Sequence, residues 1–103
     1  MAKPNSMKGD SVVVIGLGRF GASVARSLVA SGHEVLAIDA DEEVVHDMAH
    51  ELPHVVQADS TDLQALQQLS VSDFSHAVVS IGTNLEASVL TVLNLAQIGM
   101  QDI

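Results

Sequence analysis

Residues 11–21 of the sequence read SVVVIGLGRFG, a β-branched run that leads directly into a glycine-rich loop. Consecutive apolar residues that end at a glycine are typical of a strand buried on both faces of a parallel sheet. Residues 16–21 fit the pattern G-x-G-x-x-G, and apolar residues recur at helical spacing after them. The stretch therefore predicts a strand, a tight turn and a helix that begins close to the end of the strand.

Beyond this stretch the sequence alternates strand patterns with helix patterns. The first helix is expected from about Phe20 to Ser31, with Phe20, Val24, Ala25 and Leu28 facing inward. The other predicted elements are strands at residues 34–39, 55–58 and 76–81 and helices over residues 41–53, after a cap at Ser60 or Thr61, and over residues 84–98. This order predicts an α/β fold: a Rossmann-like, doubly wound parallel sheet in three αβα layers, with a ligand crevice at the carboxyl ends of the strands.

The chain length of 103 residues fits one domain, which we expect over residues 11–103 after a disordered leader at residues 1–10. Residues 99–103 lie where a fifth strand is expected to begin, so we interpret the sheet as truncated there and the sequence as a fragment of a longer chain. The last predicted helix is apolar on more than one face. Such a helix needs a partner besides the sheet, either a second subunit or a further part of the same chain.

The charge balance restricts the possible ligands. Four basic and 13 acidic residues give a net charge of −9, which disfavours nucleic acid as a partner. A bound phosphate would have to be held locally, by backbone N–H groups and an arginine. The sequence has no cysteine, which excludes disulfides and thiolate nucleophiles, and it has no apolar run of the roughly 20 residues that span a bilayer.

The glycine loop supplies the local phosphate site that this charge requires. Gly16 permits the tight turn, Gly18 allows the backbone to approach a pyrophosphate, and Gly21 lets the helix pack closely on the strand. Asp39 ends the second strand, where a carboxylate is expected to accept hydrogen bonds from ribose hydroxyls. The alternative is that Asp39 caps the second helix, although Asp41 fits that position better.

The residues after Asp39 bear on the choice of nucleotide. They read ADEE at positions 40–43 and include no arginine that would bind a 2′-phosphate. NADP is therefore disfavoured, whereas ATP, ADP, NAD and NADH share the adenosine and pyrophosphate that the motif recognises. The sequence leaves the choice among these four open.

Other residues are placed at the crevice by the predicted topology. Arg19 is expected to reach a terminal phosphate, on its own ligand or on that of a neighbouring subunit, or else to be solvated. Asp59 is expected to accept from the adenine amino group, or else Asp59 or Ser60 caps the third helix. Ile81 and Gly82 end the fourth strand and are expected to approach the phosphates or a second nucleoside, although Gly82 also fits a simple turn.

No metal site is predicted. His46 and His50 have the i, i+4 spacing of zinc ligands, but the glutamate of H-E-x-x-H is missing and the surrounding acidic residues indicate a solvated face. Glu86, near the start of the last helix, most simply complements the helix dipole, with a ligand or cation role as the alternative.

Several segments together closely resemble the TrkA-N, or RCK N-terminal, domain. They are VIGLGRFG at residues 14–21, GHEVLAID at residues 32–39, ADSTD at residues 58–62, HAVVSIG at residues 76–82 and NLEAS at residues 84–88. The likeness covers most of the chain.

The resemblance implies a cytoplasmic regulator of potassium channels or transporters. Such proteins form homodimers that assemble into rings beneath membrane subunits of the TrkH or KtrB type, at the inner face of the membrane, and ATP, ADP or NAD(H) in the glycine-loop cleft gates ion flux. It also implies that the glycines cradle phosphates, Arg19 binds the terminal phosphate, Asp39 the ribose and Asp59 the adenine. The predicted cofactor-binding residues are Gly16, Gly18, Arg19, Phe20, Gly21, Asp39, Asp59, Ser60, Ile81 and Gly82.

Two other functions remain open at this point. The cofactor-binding half of an NAD-dependent dehydrogenase would need a proton donor or acceptor beside the substrate. The sequence has no tyrosine, and its only lysines are Lys3 and Lys8 in the leader, which excludes a Tyr–Lys pair. A pure oligomerisation scaffold would have no nucleotide affinity. Regulation requires only that a nucleotide prefer one conformation, so we expect a regulator and not an enzyme.

Overall fold

The fold is described by a computed structural model over residues 10–103. Its strands are β1 (Ser11–Ile15), β2 (Glu34–Asp39), β3 (Val55–Gln57) and β4 (His76–Val79). Its helices are α1 (Arg19–Ala30), α2 (Glu42–Met48), α3 (Leu63–Gln68) and α4 (Leu85–Gln97), and a 3₁₀ turn (Val71–Asp73) precedes β4. The strands form one parallel sheet in the order β3-β2-β1-β4, which confirms the predicted Rossmann-like topology. The predicted leader falls on residues 1–10 and, apart from Asp10, lies outside the described residues.

The central strand β1 is buried on both faces, as its β-branched sequence predicts. Val12 and Val14 point to one side and Val13 and Ile15 to the other, because side chains alternate along a strand. The first side packs against α1 and α2, and the second packs against α3 and α4. The predicted three-layer arrangement is therefore confirmed.

Several local predictions are wrong. The fourth strand ends at Val79, so Ile81 and Gly82 lie in the segment after it. Phe20 does not face the core: its side chain is 66% exposed, because Gly21, Ala22 and Ala25 form the buried face of α1. The second helix ends at Met48 and not at Pro53. The third helix is capped by neither Ser60 nor Thr61 but by Asp62, whose side chain accepts a hydrogen bond from the Gln64 N–H.

The segment after α4 lies beside the amino-terminal end of β4. The Ala77 N–H donates to the Asp102 carbonyl at 2.8 Å, and Nδ1 of His76 contacts Oδ2 of the Asp102 carboxylate. Nε2 of His76 lies 3.5 Å from Oδ2 of Asp10. The hydrogen bond with Asp102, followed by that with Asp10, raises the pKa of the His76 imidazole. No fifth strand is formed within residues 10–103.

Helix α4 buries one face and exposes several apolar side chains. Thr91 and Leu95 are buried against the rest of the domain. In contrast, Leu85 is 76% exposed and Leu93 is 58% exposed, and Val89 lies between them along the helix and is also exposed. Over the described part of the chain, no helix combines the length and the hydropathy needed to cross a bilayer.

Candidate functional site

A cleft of about 560 Å³ opens at the carboxyl ends of the strands, where the fold predicts a ligand crevice. The segments that follow β1, β2, β3 and β4 all contribute to it, as does the first turn of α4. Its lining residues are Ile15, Gly16, Leu17, Gly18, Asp39, Ala40, Ala58, Asp59, Ser60, Thr61, Ser80, Ile81, Gly82, Asn84 and Ala87. The sheet thus brings together seven of the ten predicted site residues, and the other three, Arg19, Phe20 and Gly21, lie in the first turn of α1.

Two glycines of the loop are required by the packing of the backbone. Gly16 has φ +98°, and a Cβ atom there would lie 1.9 Å from the Ser80 carbonyl oxygen. A Cβ atom on Gly21 would lie 1.8 Å from the Gly16 carbonyl oxygen. The loop is therefore in contact with the end of β4 on one side and with α1 on the other, and neither contact has room for a side chain.

Gly18 differs from the other two glycines, because a Cβ atom there would have no heavy atom within 4 Å. It is the N-cap residue of α1, with extended backbone angles and no side chain to cap the helix. The first intrahelical bond runs from the Ala22 N–H to the Gly18 carbonyl, so the preceding N–H groups have no acceptor within the helix. An uncapped helix start with its positive dipole end at a cleft is a local site for an anion.

Asp39 connects the end of β2 to the glycine loop. Its Oδ2 atom accepts a 2.8 Å hydrogen bond from the Leu17 N–H, and its Oδ1 atom accepts a 2.9 Å hydrogen bond from the Asp41 N–H. The alternative role of Asp39 as the cap of α2 is wrong, because the side chain of Asp41 caps that helix by accepting from the Glu43 N–H. Each carboxylate oxygen has further acceptor capacity, so Asp39 can still accept from a ligand hydroxyl.

The loop after β3 is organised by Asp59. The Oδ1 atom of Asp59 accepts from the Thr61 hydroxyl at 2.6 Å and from the Thr61 N–H at 2.9 Å. These two hydrogen bonds stabilise the charged carboxylate and lower the pKa of Asp59. Asp59 does not cap α3, which is capped by Asp62. Both bonds use the same oxygen, so Oδ2 is the atom of Asp59 with which a ligand donor would interact.

Ser60 is held by α4 and not by its own neighbours in sequence. Its buried hydroxyl forms a 2.7 Å hydrogen bond with the buried hydroxyl of Thr91. Its carbonyl oxygen accepts a 3.1 Å hydrogen bond from Nδ2 of Asn94. The sequence analysis missed both contacts because the partners are more than 30 residues apart; the available signal was a threonine and an asparagine in the otherwise apolar stretch of residues 89–96.

The segment after β4 forms the floor of the cleft beside the glycine loop. The Ser80 N–H donates to the Ile15 carbonyl at 2.8 Å, which fixes this segment against the end of β1. Gly82 has φ +62°, and a Cβ atom there would meet no heavy atom within 4 Å. Its backbone conformation thus favours glycine and agrees with the turn that was the alternative for this residue. Asn84 then caps α4 by accepting from the Ala87 N–H.

Arg19 and Phe20 lie at the rim of the site. Both are exposed, and neither contributes to the lining of the cleft. Within residues 10–103, Arg19 forms no ion pair with an acidic side chain. Its guanidinium is therefore available to a phosphate that extends out of the cleft.

His46 lies in the last turn of α2, and His50 lies two residues beyond the end of that helix. His46 and His50 meet edge to face with 5.5 Å between ring centroids, and both are exposed. Among the residues that the structure describes, no group of three ligand side chains is arranged to hold a metal ion. Glu86 lies in the first turn of α4, where its charge complements the helix dipole.

The sheet order, the glycine loop and the position of the cleft define a Rossmann-type domain. Comparison with known families narrows this class. The model of the TrkA-N domain matches residues 12–102, and the chain belongs to that family.

Two potassium uptake proteins of Bacillus subtilis (strain 168) are similar to this chain. The Ktr system potassium uptake protein C is 46% identical over 90 residues, and protein A of the same system is 41% identical over 97 residues. These alignments cover 87% and 94% of this chain but 41% and 44% of the two relatives. The chain thus spans less than half the length of either relative.

Solved structures agree with the fold. The NAD(P)-binding domain of an exopolyphosphatase-related protein from Archaeoglobus fulgidus superposes with a TM-score of 0.77 and 27% identity, over 85% of this chain and 65% of that one. RSP in complex with β-NADH gives a TM-score of 0.63 with 14% identity, over 89% of this chain and 43% of that one. The second likeness shows the fold alone.

Proposed function

We propose that this chain is a nucleotide-sensing regulatory domain of a potassium uptake system, which binds ATP, ADP, NAD or NADH in the cleft at the strand ends. The observation that carries the proposal is the uncapped start of α1 at Gly18, which opens on a cleft whose loop is fixed by Asp39. In a chain of net charge −9, this is a place where backbone N–H groups can hold a phosphate.

Different residues of the site bind different parts of the ligand. The N–H groups at the start of α1 bind the phosphates, and Gly18 leaves room for them beside the backbone. Asp39 accepts from the ribose hydroxyls and Asp59 from the adenine amino group, each through remaining acceptor capacity of its carboxylate. Ile81 and Gly82 lie beside the phosphates, and Arg19 and Phe20 contact the part of the ligand that leaves the cleft.

A 2′-phosphate would meet an unfavourable environment. Asp39 lies at the end of β2, where the ribose is expected, and the exposed acidic residues Asp41, Glu42 and Glu43 follow it. A 2′-phosphate placed there would be repelled, so NADP binds more weakly than NAD.

Potassium transport enters the proposal through the relatives, which are named Ktr system potassium uptake proteins. We propose that the domain acts in the cytoplasm as part of a ring of homodimers, held at the inner face of the membrane by a potassium transporter subunit of the KtrB or TrkH type. The exposed apolar face of α4 supports self-association. This helix has one charged residue, Glu86, so two copies can meet there without bringing their acidic surfaces together.

The ionisable groups of the cleft favour binding over catalysis. Among the residues that line it, only Asp39 and Asp59 are ionisable. Both oxygens of Asp39 accept backbone hydrogen bonds, and the lowered pKa of Asp59 keeps it charged at neutral pH. Asp59 is therefore held as an acceptor and not as a general acid, and both oxygens of Asp39 already accept hydrogen bonds within the scaffold.

The test is calorimetric titration of the purified chain with ATP, ADP, NAD, NADH and NADPH in one buffer at one salt concentration. Binding of ATP or ADP at least as tight as that of the dinucleotides, with NADPH the weakest, is the expected result. Binding of NAD or NADH alone would instead support the cofactor-binding half of a dehydrogenase. No binding of any nucleotide would overturn the proposal and leave a scaffold.

A further inference from the structure

The loop that carries Asp59 is attached to the middle of α4 by a buried polar contact. Thr91 is fully buried, and its hydroxyl pairs with that of Ser60 at 2.7 Å. Asn94, one turn further along α4, donates to the Ser60 carbonyl at 3.1 Å. Residues three apart lie on the same face of a helix, so one face of α4 binds both the hydroxyl and the carbonyl of Ser60.

This attachment fixes Ser60, which lies between Asp59 and Thr61, the two residues that form what we call the Asp59 turn. Asp59 and Thr61 flank Ser60, and their mutual hydrogen bonds form a compact unit. Both bonds lie close to solvent, so the turn opens readily unless a connection to another element holds it in place. Ser60 supplies that connection, because its hydroxyl and its carbonyl both point away from the turn and into α4.

We infer that Thr91 and Asn94 are positioning residues for the side of the cleft at Asp59, which binds the adenine base. Neither residue lines the cleft, and both act through Ser60 on the carboxylate of Asp59. The inference rests on the proposed nucleotide binding and adds to it: base recognition depends on α4, whereas phosphate recognition depends on the glycine loop.

Base recognition and phosphate recognition can therefore be tested separately, by comparing the binding of ATP with that of GTP. Adenine presents an amino group where guanine presents a carbonyl, and a charged Asp59 attracts the first and repels the second. Displacement of the Asp59 turn weakens ATP binding because ATP loses an acceptor for its amino group, whereas GTP has no favourable contact with Asp59 to lose. The phosphates of both nucleotides still meet the unchanged loop at Gly18.

The experiment compares the affinities for ATP and GTP in the whole chain and in three variants. Thr91→Val keeps the shape of the side chain and removes its hydroxyl, and we expect it to lose about tenfold in ATP affinity, with GTP affinity changed by less than about twofold. Thr91→Ser keeps the hydroxyl and is expected to retain the preference for ATP. Ser88→Ala removes a half-buried hydroxyl from the same helix. Ser88 does not line the cleft, and this variant is expected to bind as the wild-type chain does.

Hydrogen exchange provides a second measurement that needs no ligand. The N–H groups of Thr61 and Asp62, which both bond to Asp59, are expected to exchange faster in Thr91→Val than in Ser88→Ala. Urea denaturation reports the stability of each variant, so that general unfolding is separated from displacement of the turn.

The outcomes distinguish this inference from the proposed function. If the wild-type chain binds neither ATP nor any other nucleotide, the proposed function is wrong and the positioning role falls with it. If the wild-type chain prefers ATP and Thr91→Val keeps the same ratio of ATP to GTP affinity, nucleotide binding stands and the positioning role is wrong. A loss of discrimination in Thr91→Ser equal to that in Thr91→Val would also overturn it.

Discussion

The backbone N–H of Leu17 donates a 2.8 Å hydrogen bond to Oδ2 of Asp39. A carboxylate that the sequence motif assigns to the ligand is thus also part of the scaffold that shapes the glycine loop. The same side chain holds the Asp41 N–H with its other oxygen, and so it connects the ends of β1 and β2 to the start of α2. On the proposed function, changes at Asp39 therefore affect both nucleotide binding and the glycine loop.

Asp39→Asn is expected to weaken nucleotide binding by about tenfold and to lower the free energy of unfolding by about 1 kcal/mol. The amide retains one acceptor oxygen, so one of the two N–H groups of Leu17 and Asp41 loses its partner. Calorimetry with ATP and urea denaturation measure the two effects. Glu42→Gln removes the same charge from an exposed position nearby, and equal effects in both variants would show that charge alone is responsible.

The glycines of the loop are expected to respond differently to alanine. Gly16→Ala places a Cβ atom against the Ser80 carbonyl and forces a positive φ, so the free energy of unfolding falls by on the order of 3 kcal/mol. Gly18→Ala meets open space and is expected to change that free energy by less than about 0.5 kcal/mol while it lowers ATP affinity. A Gly18→Ala variant that binds ATP normally would contradict phosphate binding at this loop.

The contacts of His76 predict a pH-dependent contribution to stability. Asp102 and Asp10 raise the pKa of His76 in the folded chain above its unfolded value of about 6.5. The stabilisation is therefore fully present below about pH 6.5 and is lost as the pH rises through the folded-state pKa. Because the side chain is 38% exposed, solvent screening keeps the effect small.

Asp102→Asn tests this contribution by removing the principal partner of His76. The difference in unfolding free energy from the wild-type chain is expected to be larger at about pH 5.5 than at about pH 8.5. A difference that is constant or grows with pH would contradict the assignment. Asp47→Asn on α2 makes the same charge change on an exposed residue of another element and serves as the control.

The exposed face of α4 predicts an effect on association without an effect on folding. Leu93→Glu places a charge on a side chain that is 58% exposed, so the free energy of unfolding of the monomer is expected to change by less than about 0.5 kcal/mol. Sedimentation velocity is expected to show a dimer for the wild-type chain and a monomer for the variant, because two charges would face each other across a symmetric contact. Gln67→Glu, exposed on α3, is the matched charge control. If the Leu93→Glu variant still formed a dimer, the contact between the two copies would lie elsewhere than on this face of α4.

The sequence was sufficient to predict the parallel sheet and the location of the cleft. β1 and β2 lie at the predicted residues, since their apolar runs are bounded by a glycine loop and by an aspartate. Gly16 and Gly21 were assigned steric roles from the motif, and the backbone contacts at both positions agree with those roles. Local signals of this kind depend on neighbouring residues, which a sequence displays directly.

Features that depend on distant partners were not predictable. Phe20 has the spacing of an inward residue, yet it is exposed, because the small residues Gly21 and Ala25 bring α1 so close to the sheet that they form its contact face. The pairing of Ser60 with Thr91 joins side chains from separate elements, and no periodic pattern encodes it. Asp62 replaces the predicted cap of α3, since the Ser60 hydroxyl pairs with Thr91 and the Thr61 hydroxyl with Asp59.

The contrast between Gly16 and Gly18 has an evolutionary consequence. On the proposed function, a lineage that lost nucleotide binding would still need glycine at positions 16 and 21, because both are enclosed by the protein's own backbone. Position 18 faces open space and would be released from selection as soon as the ligand was lost. Within one short motif, substitution of the middle glycine would thus indicate that a ligand had been lost. Retention of the other two glycines would indicate only that the fold had been kept.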